Sequence, residues 1–140
     1  LSSVKECRCN EMEIQRYKNR LSEPFLDRID LYVVMNDSFS DNKNFVSSKE
    51  LHEKVISAFI KQKKRGQSEL NGKLRDEDIK KYCILDDESE NILEKAKINY
   101  QLSFRSINKV LKVARTIADL NNNEIITKND LLQSLSFRKR

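Results

Sequence analysis

The chain has 140 residues, a net charge of +5 and charged side chains at 35% of its positions, with only two Gly and one Pro. This length suits one ordinary domain, and so few turn-forming residues favour a mainly helical, water-soluble protein over a β-sandwich. The sequence contains no run of about 18 apolar residues and no charged-then-apolar leader, so we expect a cytoplasmic protein without a membrane span.

The N-terminal region is predicted to begin with one helix. Asn10 and Glu13 have the spacing of a capping box, from which a helix would run to about Leu21. Pro24 is expected to end this helix, because the residue before a proline disfavours the helical conformation. The pattern therefore predicts a short amphipathic helix followed by a turn.

A strand is predicted next, in the stretch DRIDLYVVM at residues 27–35, where apolar and polar side chains alternate. A lone strand leaves its hydrogen-bonding edges unpaired, so residues 1–36 cannot form a core by themselves. We interpret residues 1–36 as the tail end of a larger α/β core, followed by a polar linker over residues 37–46. The first residue is Leu rather than Met, which suggests that the chain was excised from a longer one.

Residues 47–140 are predicted to form a bundle of four or five helices, which can bury a core. Ser47 and Glu50 form a second capping box, and Gly66 supplies the stop for the helix that they begin. Further helices are expected to start near Arg75, Asp86 or Asp87, Ser103 and Thr127. The residues expected to face the core are Leu51, Val55, Ala58, Phe59, Ile92, Leu93, Ala96, Leu131, Leu132 and Leu135.

The helix that begins after Ser103 combines an apolar stripe with several basic side chains. Arg115 lies four residues before Asp119, which is the spacing of an intrahelical ion pair, so a structural role is favoured for Arg115. Arg105 lies just inside the first turn, where an amphipathic surface helix has no particular need of an arginine. The pattern alone leaves Arg105 as either a solvated side chain or a functional one.

The three cysteines do not indicate a disulfide framework, because their number is odd and no secretion signal is evident. Cys83 is predicted to be a small core residue at the end of a short helix. Cys7 and Cys9 form a C-x-C pair, which is half of a tetrahedral zinc site, since such a site needs four ligands. Two reduced thiols are the alternative interpretation of this pair.

No motif for self-contained catalysis occurs in the chain. It lacks the G-x-x-x-x-G-K-[ST] phosphate loop, the G-x-S-x-G nucleophile turn and the His-based metal motifs. Any chemistry must therefore be shared with residues outside this chain. A non-enzymatic helical module that binds nucleic acid through a basic surface is the alternative. That surface would be formed by Lys61, Lys63, Lys64, Arg65, Lys109 and Lys112.

Two long segments carry a family likeness. CRCNEMEIQRYKNRLSEPFLDRIDLYV, at residues 7–33, and LSFRSINKVLKVARTIADL, at residues 102–120, resemble segments of the magnesium-chelatase-like AAA+ ATPases, the ComM/YifB group. The closing SLSFR is also similar, so the likeness covers nearly the whole chain. The chain departs from the group pattern at Glu23, which replaces Gly, and at Phe104, which replaces Ala beside Arg105.

This resemblance implies that the chain is the C-terminal helical lid of an AAA+ ATPase, preceded by a helix and one strand of its α/β core. Arg28 matches the arginine finger, which reaches the ATP of the next subunit in a ring. Arg105 matches the sensor-2 arginine, which reaches the ATP of its own subunit, and Ser103 would contact the same nucleotide. The alternatives are an ion pair with Asp27 or Asp30 for Arg28, and a solvated side chain for Arg105.

Two further predictions concern residues near the N-terminus, the first from the resemblance and the second from spacing. Cys7 and Cys9 match a C-x-C of the group, which implies a four-cysteine zinc site in the longer protein. Arg16 and Arg20 lie four positions apart on the first helix. They would face DNA, a neighbour's phosphates or a subunit interface, with an ordinary surface role as the alternative.

For the longer protein, the resemblance implies a hexameric, DNA-directed motor that drives branch migration in natural transformation, with ATP and Mg²⁺. The chain alone is expected neither to hydrolyse ATP nor to hold a cofactor, because the Walker A and B motifs lie outside it. The enzymatic alternative is the ATPase subunit of magnesium chelatase, which inserts Mg²⁺ into a porphyrin.

Overall fold

The structure, a computed structural model, describes residues 9–26, 28–34 and 46–138. The chain divides into two compact units, residues 1–45 and residues 46–140. Helices dominate the described residues of the second unit and occur in the first, so the mainly helical class is confirmed. None of the helices in these ranges is long and apolar enough to cross a membrane.

The first unit begins with the predicted helix, α1 (Glu11–Lys18). Its capping box is present, since the Asn10 side chain accepts from the Glu13 backbone N–H and the Glu13 carboxylate accepts from the Asn10 N–H, both at 2.9 Å. A short helix, α2 (Glu23–Leu26), follows it. Pro24 lies in the first turn of α2. Backbone N–H groups in a first turn have no intrahelical acceptor, so the N–H that proline lacks is not needed there. Pro24 therefore separates α1 from α2 and is itself part of α2.

The strand predicted at residues 27–35 is not found in the described part of that segment. Residues 29–34 form no strand, and the side chains of residues 31–34 are exposed. A strand is defined by hydrogen bonds to a neighbouring strand, and the described residues of this unit provide no such neighbour. Asp27 and Met35 lie outside the described residues, as does the predicted linker apart from Val46.

The second unit contains five α-helices and one 3₁₀ turn within its described residues. They are α3 (Ser48–Lys64), the 3₁₀ turn (Asn71–Lys73), α4 (Asp76–Tyr82), α5 (Asp87–Asn99), α6 (Phe104–Leu120) and α7 (Lys128–Ser136). The residues predicted to begin these helices stand immediately before them, and they are Ser47, Arg75, Asp86, Ser103 and Thr127. Gly66 follows α3 with a φ of 75°, a left-handed conformation that glycine adopts without strain.

The core of this unit lies around α6, which packs against α3, α4, α7 and the 3₁₀ turn. A backbone connection closes one side, where the Ile126 N–H donates to the Ile84 carbonyl at 2.8 Å. Cys83 is buried in this core, as predicted. The buried core residues are Leu74, Ile79, Cys83, Leu93, Val110, Ala114, Ala118, Ile126 and Leu131.

Several residues of α3 predicted to face the core are exposed instead. Ala58 is buried, but Leu51, Val55 and Phe59 are 52%, 57% and 42% exposed. The buried residues of α3 are Ala58 and Gln62, so burial is confined to its C-terminal half. A helical stripe shows which face is apolar but not how much of its length a neighbour covers. Leu132 of α7 is likewise exposed, whereas Leu131 is fully buried.

Candidate functional site

Arg105 occupies the first turn of α6 and is exposed. Ser103 caps this helix, its hydroxyl accepting from the Ser106 N–H at 3.2 Å. The first backbone N–H groups of a helix have no intrahelical partner; Ser103 accepts from that of Ser106, and those of Phe104 and Arg105 form a positive end together with the Arg105 side chain. Phe104 beside it is largely exposed. Among the described residues, no hydrogen bond or ion pair occupies the Arg105 side chain.

Arg105 is the first member of a row of polar side chains along α6, which we call the polar stripe. Its members are Arg105, Asn108, Lys112, Thr116 and Asp119, three or four residues apart and therefore on one side of the helix. The other four are held by residues 65–76. Asn108 donates to the Asp76 carboxylate at 2.8 Å, and Lys112 Nζ approaches the Gly72 carbonyl at 3.4 Å.

The stripe ends in a buried ionic cluster. Asp119 is 0% exposed and forms ion pairs with Arg115, which is 1% exposed, and with Arg65, which is 23% exposed. Arg115 Nη2 lies 2.9 Å from the carboxylate, which confirms the predicted intrahelical pair. Its guanidinium also donates to the Asn123 and Glu124 carbonyls at 2.7 Å. The cluster therefore fixes the end of α6, the end of α3 and the loop after α6.

Asn71 completes this cluster from the 3₁₀ turn and is 1% exposed. Its amide donates to Asp119 at 2.8 Å and to the Thr116 hydroxyl at 3.2 Å. Its side-chain Oδ1 accepts from the Gln67 side-chain amide, and its backbone N–H donates to the Gln62 side-chain carbonyl, both at 3.0 Å. No sequence pattern reveals Arg65 or Asn71 as partners of Asp119, because they lie 54 and 48 positions away from it.

Burial protects one further group beside the cluster. The pKa of the Cys83 thiol is raised to about 11 by burial, while the positive charges of Arg115 and Arg65 partly oppose that shift. Burial also disfavours the charged form of Arg115 and so lowers its pKa, while the ion pair with Asp119 opposes that change. Cys83 therefore stays a neutral thiol at physiological pH.

Cys83 is expected to react at least about 100-fold more slowly with iodoacetamide at pH 8 than the exposed Cys9, because only a thiolate attacks. Peptide mass spectrometry of the alkylated native protein measures both rates. Unfolding in guanidinium chloride should bring the two rates within a few-fold of each other. Equal rates in the native protein would contradict the buried, neutral state of Cys83.

Arg28 lies in the turn directly after α2 and is exposed. Its Nη1 donates to the Pro24 carbonyl at 2.7 Å, which folds the side chain back over α2. A guanidinium has five N–H donors. Among the described residues, one of these donors is used, on the Pro24 carbonyl, which leaves donors that can fork onto an oxyanion from another molecule. Asp27, one of the two ion-pair partners considered for Arg28 beside Asp30, lies outside the described residues, so that alternative stays a prediction.

The remaining predicted residues are separate surface features of the first unit. Arg16 and Arg20 border one shallow open depression beside α1, and the Arg20 guanidinium lies 5.4 Å from the centre of the Tyr17 ring. Cys9 is exposed, and Cys7 lies outside the described residues. The described ranges contain no cluster of three His, Cys, Asp or Glu residues able to hold a metal. A zinc site stays a prediction.

The basic surface considered from sequence is divided by the fold. Arg65 is committed to the buried Asp119, and Lys112 leans on the Gly72 carbonyl. Lys63 and Lys64 stay exposed at the end of α3, with Lys63 Nζ 5.5 Å from the centre of the Phe59 ring. Arg65 is therefore engaged by the cluster, whereas Lys63 and Lys64 are the more accessible cations at the end of α3.

Comparison with known families matches both units. Residues 46–138 match the family described as magnesium chelatase, subunit ChlI C-terminal, and residues 1–43 match magnesium chelatase, subunit ChlI. The chain is 39% identical over 136 residues to the uncharacterized protein YifB of Escherichia coli K12. It is 36% identical over 139 residues to YifB of Salmonella typhimurium and 35% identical over 136 residues to the competence protein ComM of Haemophilus influenzae.

These alignments cover 94% of the chain but 26% to 27% of each relative. The chain therefore spans about a quarter of the length of the curated relatives it matches. The likeness includes the segments that carry Arg28 and Arg105, since nearly all of the chain is aligned.

Proposed function

Because the chain belongs to the magnesium chelatase subunit ChlI family, we propose that it forms the C-terminal part of a longer, ring-forming AAA+ ATPase. In this proposal Arg105 acts as the sensor-2 arginine on the ATP of its own subunit. Arg28 acts as the arginine finger on the ATP of the neighbouring subunit. The observation that carries the proposal is the position of Arg105, exposed at the capped start of α6 with no partner among the described residues.

The physical chemistry of that position suits a triphosphate. Phosphoryl transfer requires positive charge on the transferred and leaving oxygens more than covalent help from the protein. A guanidinium keeps its charge and forks onto two phosphate oxygens, while the start of a helix adds unpaired N–H groups and a partial positive charge. Arg105 joins both features at one end of α6, so it can bind an anion without breaking an internal contact.

Arg28 suits a contact between subunits for a related reason. It is exposed, it lies in a turn, and its backbone N–H donates to the Phe25 carbonyl of the helix that precedes it, at 3.0 Å. An arginine supplied by a neighbour completes the site only when the subunits assemble, which couples hydrolysis to ring formation. Mg²⁺ would neutralise charge on the phosphates when bound, and its acidic ligands would come from residues outside this chain.

The parent protein is proposed to be a hexameric motor that acts on DNA during natural transformation. The support is its likeness to a relative named as a competence protein, across both units of the chain. Arg16 and Arg20 would then contact DNA or a neighbouring subunit from the open depression beside α1. The family description also names magnesium chelatase. ATP turnover that rises with DNA, and not with a porphyrin and Mg²⁺, would separate the two substrates.

Arg105→Ala in the full-length protein is expected to lower kcat for ATP by about 10²–10³-fold, the loss typical for one donor that stabilises developing charge. Arg105→Lys should fall between, because it keeps the charge and loses the fork. Steady-state ATPase assays, with and without DNA, measure both variants.

The matched control for this variant is Arg75→Ala, which removes another exposed arginine at the start of a helix in the same unit. It should leave turnover within twofold of wild type. Normal ATP turnover by Arg105→Ala would overturn the proposed phosphate contact. The alternative function, a basic module that binds nucleic acid, would then be favoured.

A further inference from the structure

The polar stripe holds α6 by directional contacts on one side, while the apolar core holds the opposite side. Asn108, Lys112, Thr116 and Asp119 each bind a residue between positions 65 and 76. Arg105 continues the same row at the solvent end and is the member that binds none of the described residues. One side of one helix thus carries both the holding contacts and the proposed phosphate contact.

The uninterrupted helix α6 links the two ends of the polar stripe, Arg105 and Asp119. α6 runs without interruption from Phe104 to Leu120 and contains neither Gly nor Pro. Asp119 lies about 21 Å from Arg105 along the axis, after about four turns, so both side chains leave the helix on nearly the same side. Any rotation of α6 allowed at the Asp119 end therefore appears at Arg105.

We infer that Asn71 and Arg65, acting on Asp119, are positioning residues that set the rotation of α6 and thereby aim Arg105 at the nucleotide. This inference rests on the proposed function of Arg105. The two residues lie outside α6 and outside the segments that first suggested a phosphate contact. They act through Arg105 and touch no substrate.

A buried ionic cluster is well suited to this task and poorly suited to simple stabilisation. Replacing a buried ion pair by packed apolar residues is often neutral or stabilising, so the pairs add little net stability over an apolar alternative. Apolar contacts also tolerate small rotations, because they are not directional. The hydrogen bonds from Asn71 to Asp119 and Thr116 fix an angle as well as a distance.

A small error in the position of the Arg105 guanidinium is enough to slow the reaction. Side chains extend about 5–6 Å from a helix axis, so a rotation of about 10° moves the Arg105 guanidinium by about 1 Å. A misplacement of that size, even from a distant change, can lower a rate by about 10²-fold. We expect kcat to change more than KM, since a displaced arginine can still attract the phosphates.

The test is a double-mutant cycle on ATP turnover in the full-length protein, with Asn71→Ala, Arg105→Ala and the two combined. Asn71→Ala leaves both ion pairs of Asp119 in place, which favours a folded product. It is expected to lower kcat about tenfold or more with a smaller change in KM. In the Arg105→Ala background the same change should alter kcat by less than twofold, because its effect passes through Arg105.

Two further variants keep the test independent of folding. Arg65→Lys changes a partly exposed residue, retains its charge and should show the same dependence on Arg105. Ser89→Ala alters another fully buried polar side chain, whose hydroxyl donates to the Ile126 carbonyl rather than to residues 65–76 or to the end of α6. It should lower the melting temperature and leave the kcat of the folded protein unchanged.

The outcomes separate the inference from the proposed function. If the losses from Asn71→Ala and Arg105→Ala multiply in the double variant, Asn71 does not act through Arg105 and the inference fails alone. It also fails if Ser89→Ala lowers kcat as much as Asn71→Ala. If Arg105→Ala by itself leaves ATP turnover normal, the proposed function fails, and this inference fails with it because it depends on that function.

Discussion

Arg28→Ala in the full-length protein is expected to lower kcat for ATP by about 10³–10⁵-fold while each subunit still binds ATP. The proposed finger contributes mainly in the transition state, when charge builds on the transferred phosphoryl group. Its guanidinium is exposed and, among the residues that the structure describes, uses one donor on the Pro24 carbonyl, so other donors can meet a neighbour's phosphates. This loss is larger than the one expected for Arg105, because an arginine finger completes an otherwise slow site.

Turnover, nucleotide affinity and ring assembly must be measured together for this variant. Lys18→Ala is the matched control, since it removes another exposed cation from the same unit at the end of α1. Arg28→Lys should retain only part of the activity. A change of less than a few-fold in Arg28→Ala, with rings intact, would exclude the finger assignment and favour a local surface role.

Asp119→Ala is expected to destabilise the folded protein by about 3–5 kcal/mol, the usual cost of breaking a buried pair by removing one partner. The change leaves Arg115 buried without its carboxylate and also removes the acceptor used by Arg65 and Asn71. A loss of this size is a large fraction of the total stability of a domain. It arises from uncompensated charge, and is therefore compatible with a cluster that adds little net stability when intact.

Denaturant unfolding followed by circular dichroism measures this loss. The control is Lys128→Ala, which breaks the exposed ion pair with Glu88 between α7 and α5. Exposed pairs contribute at most about 1 kcal/mol. If both variants unfold at the same denaturant concentration, the buried cluster has no special role in stability.

Local sequence spacing predicted the features that depend on local geometry. The capping boxes of α1 and α3 were recognisable, because each joins residues three positions apart. The Arg115–Asp119 pair was recognisable because residues four apart share a helix face. The partners contributed by Arg65 and Asn71 were not, since their distance from Asp119 is set by how the chain turns back, which no periodicity records.

The errors have the same origin. The alternation of residues 27–35 indicates two faces, but a strand also needs a paired neighbour, and the described residues offer none. The stripe of α3 indicates an apolar side, but only the part near Ala58 is covered. For the candidate site, the sequence placed Arg105 in the first turn of α6, and the role proposed for it came only from the family likeness.

The central claim is that Arg28 and Arg105 act on one ATP from two neighbouring subunits. The most direct test mixes full-length Arg28→Ala with full-length Arg105→Ala and measures ATP turnover after subunit exchange. One interface type in the mixed rings pairs an intact Arg105 with a neighbour's intact Arg28. Random mixing makes about a quarter of the interfaces of this kind, so turnover should rise well above that of either variant alone. A mixture no more active than the average of the two variants, with exchange verified, would contradict the claim.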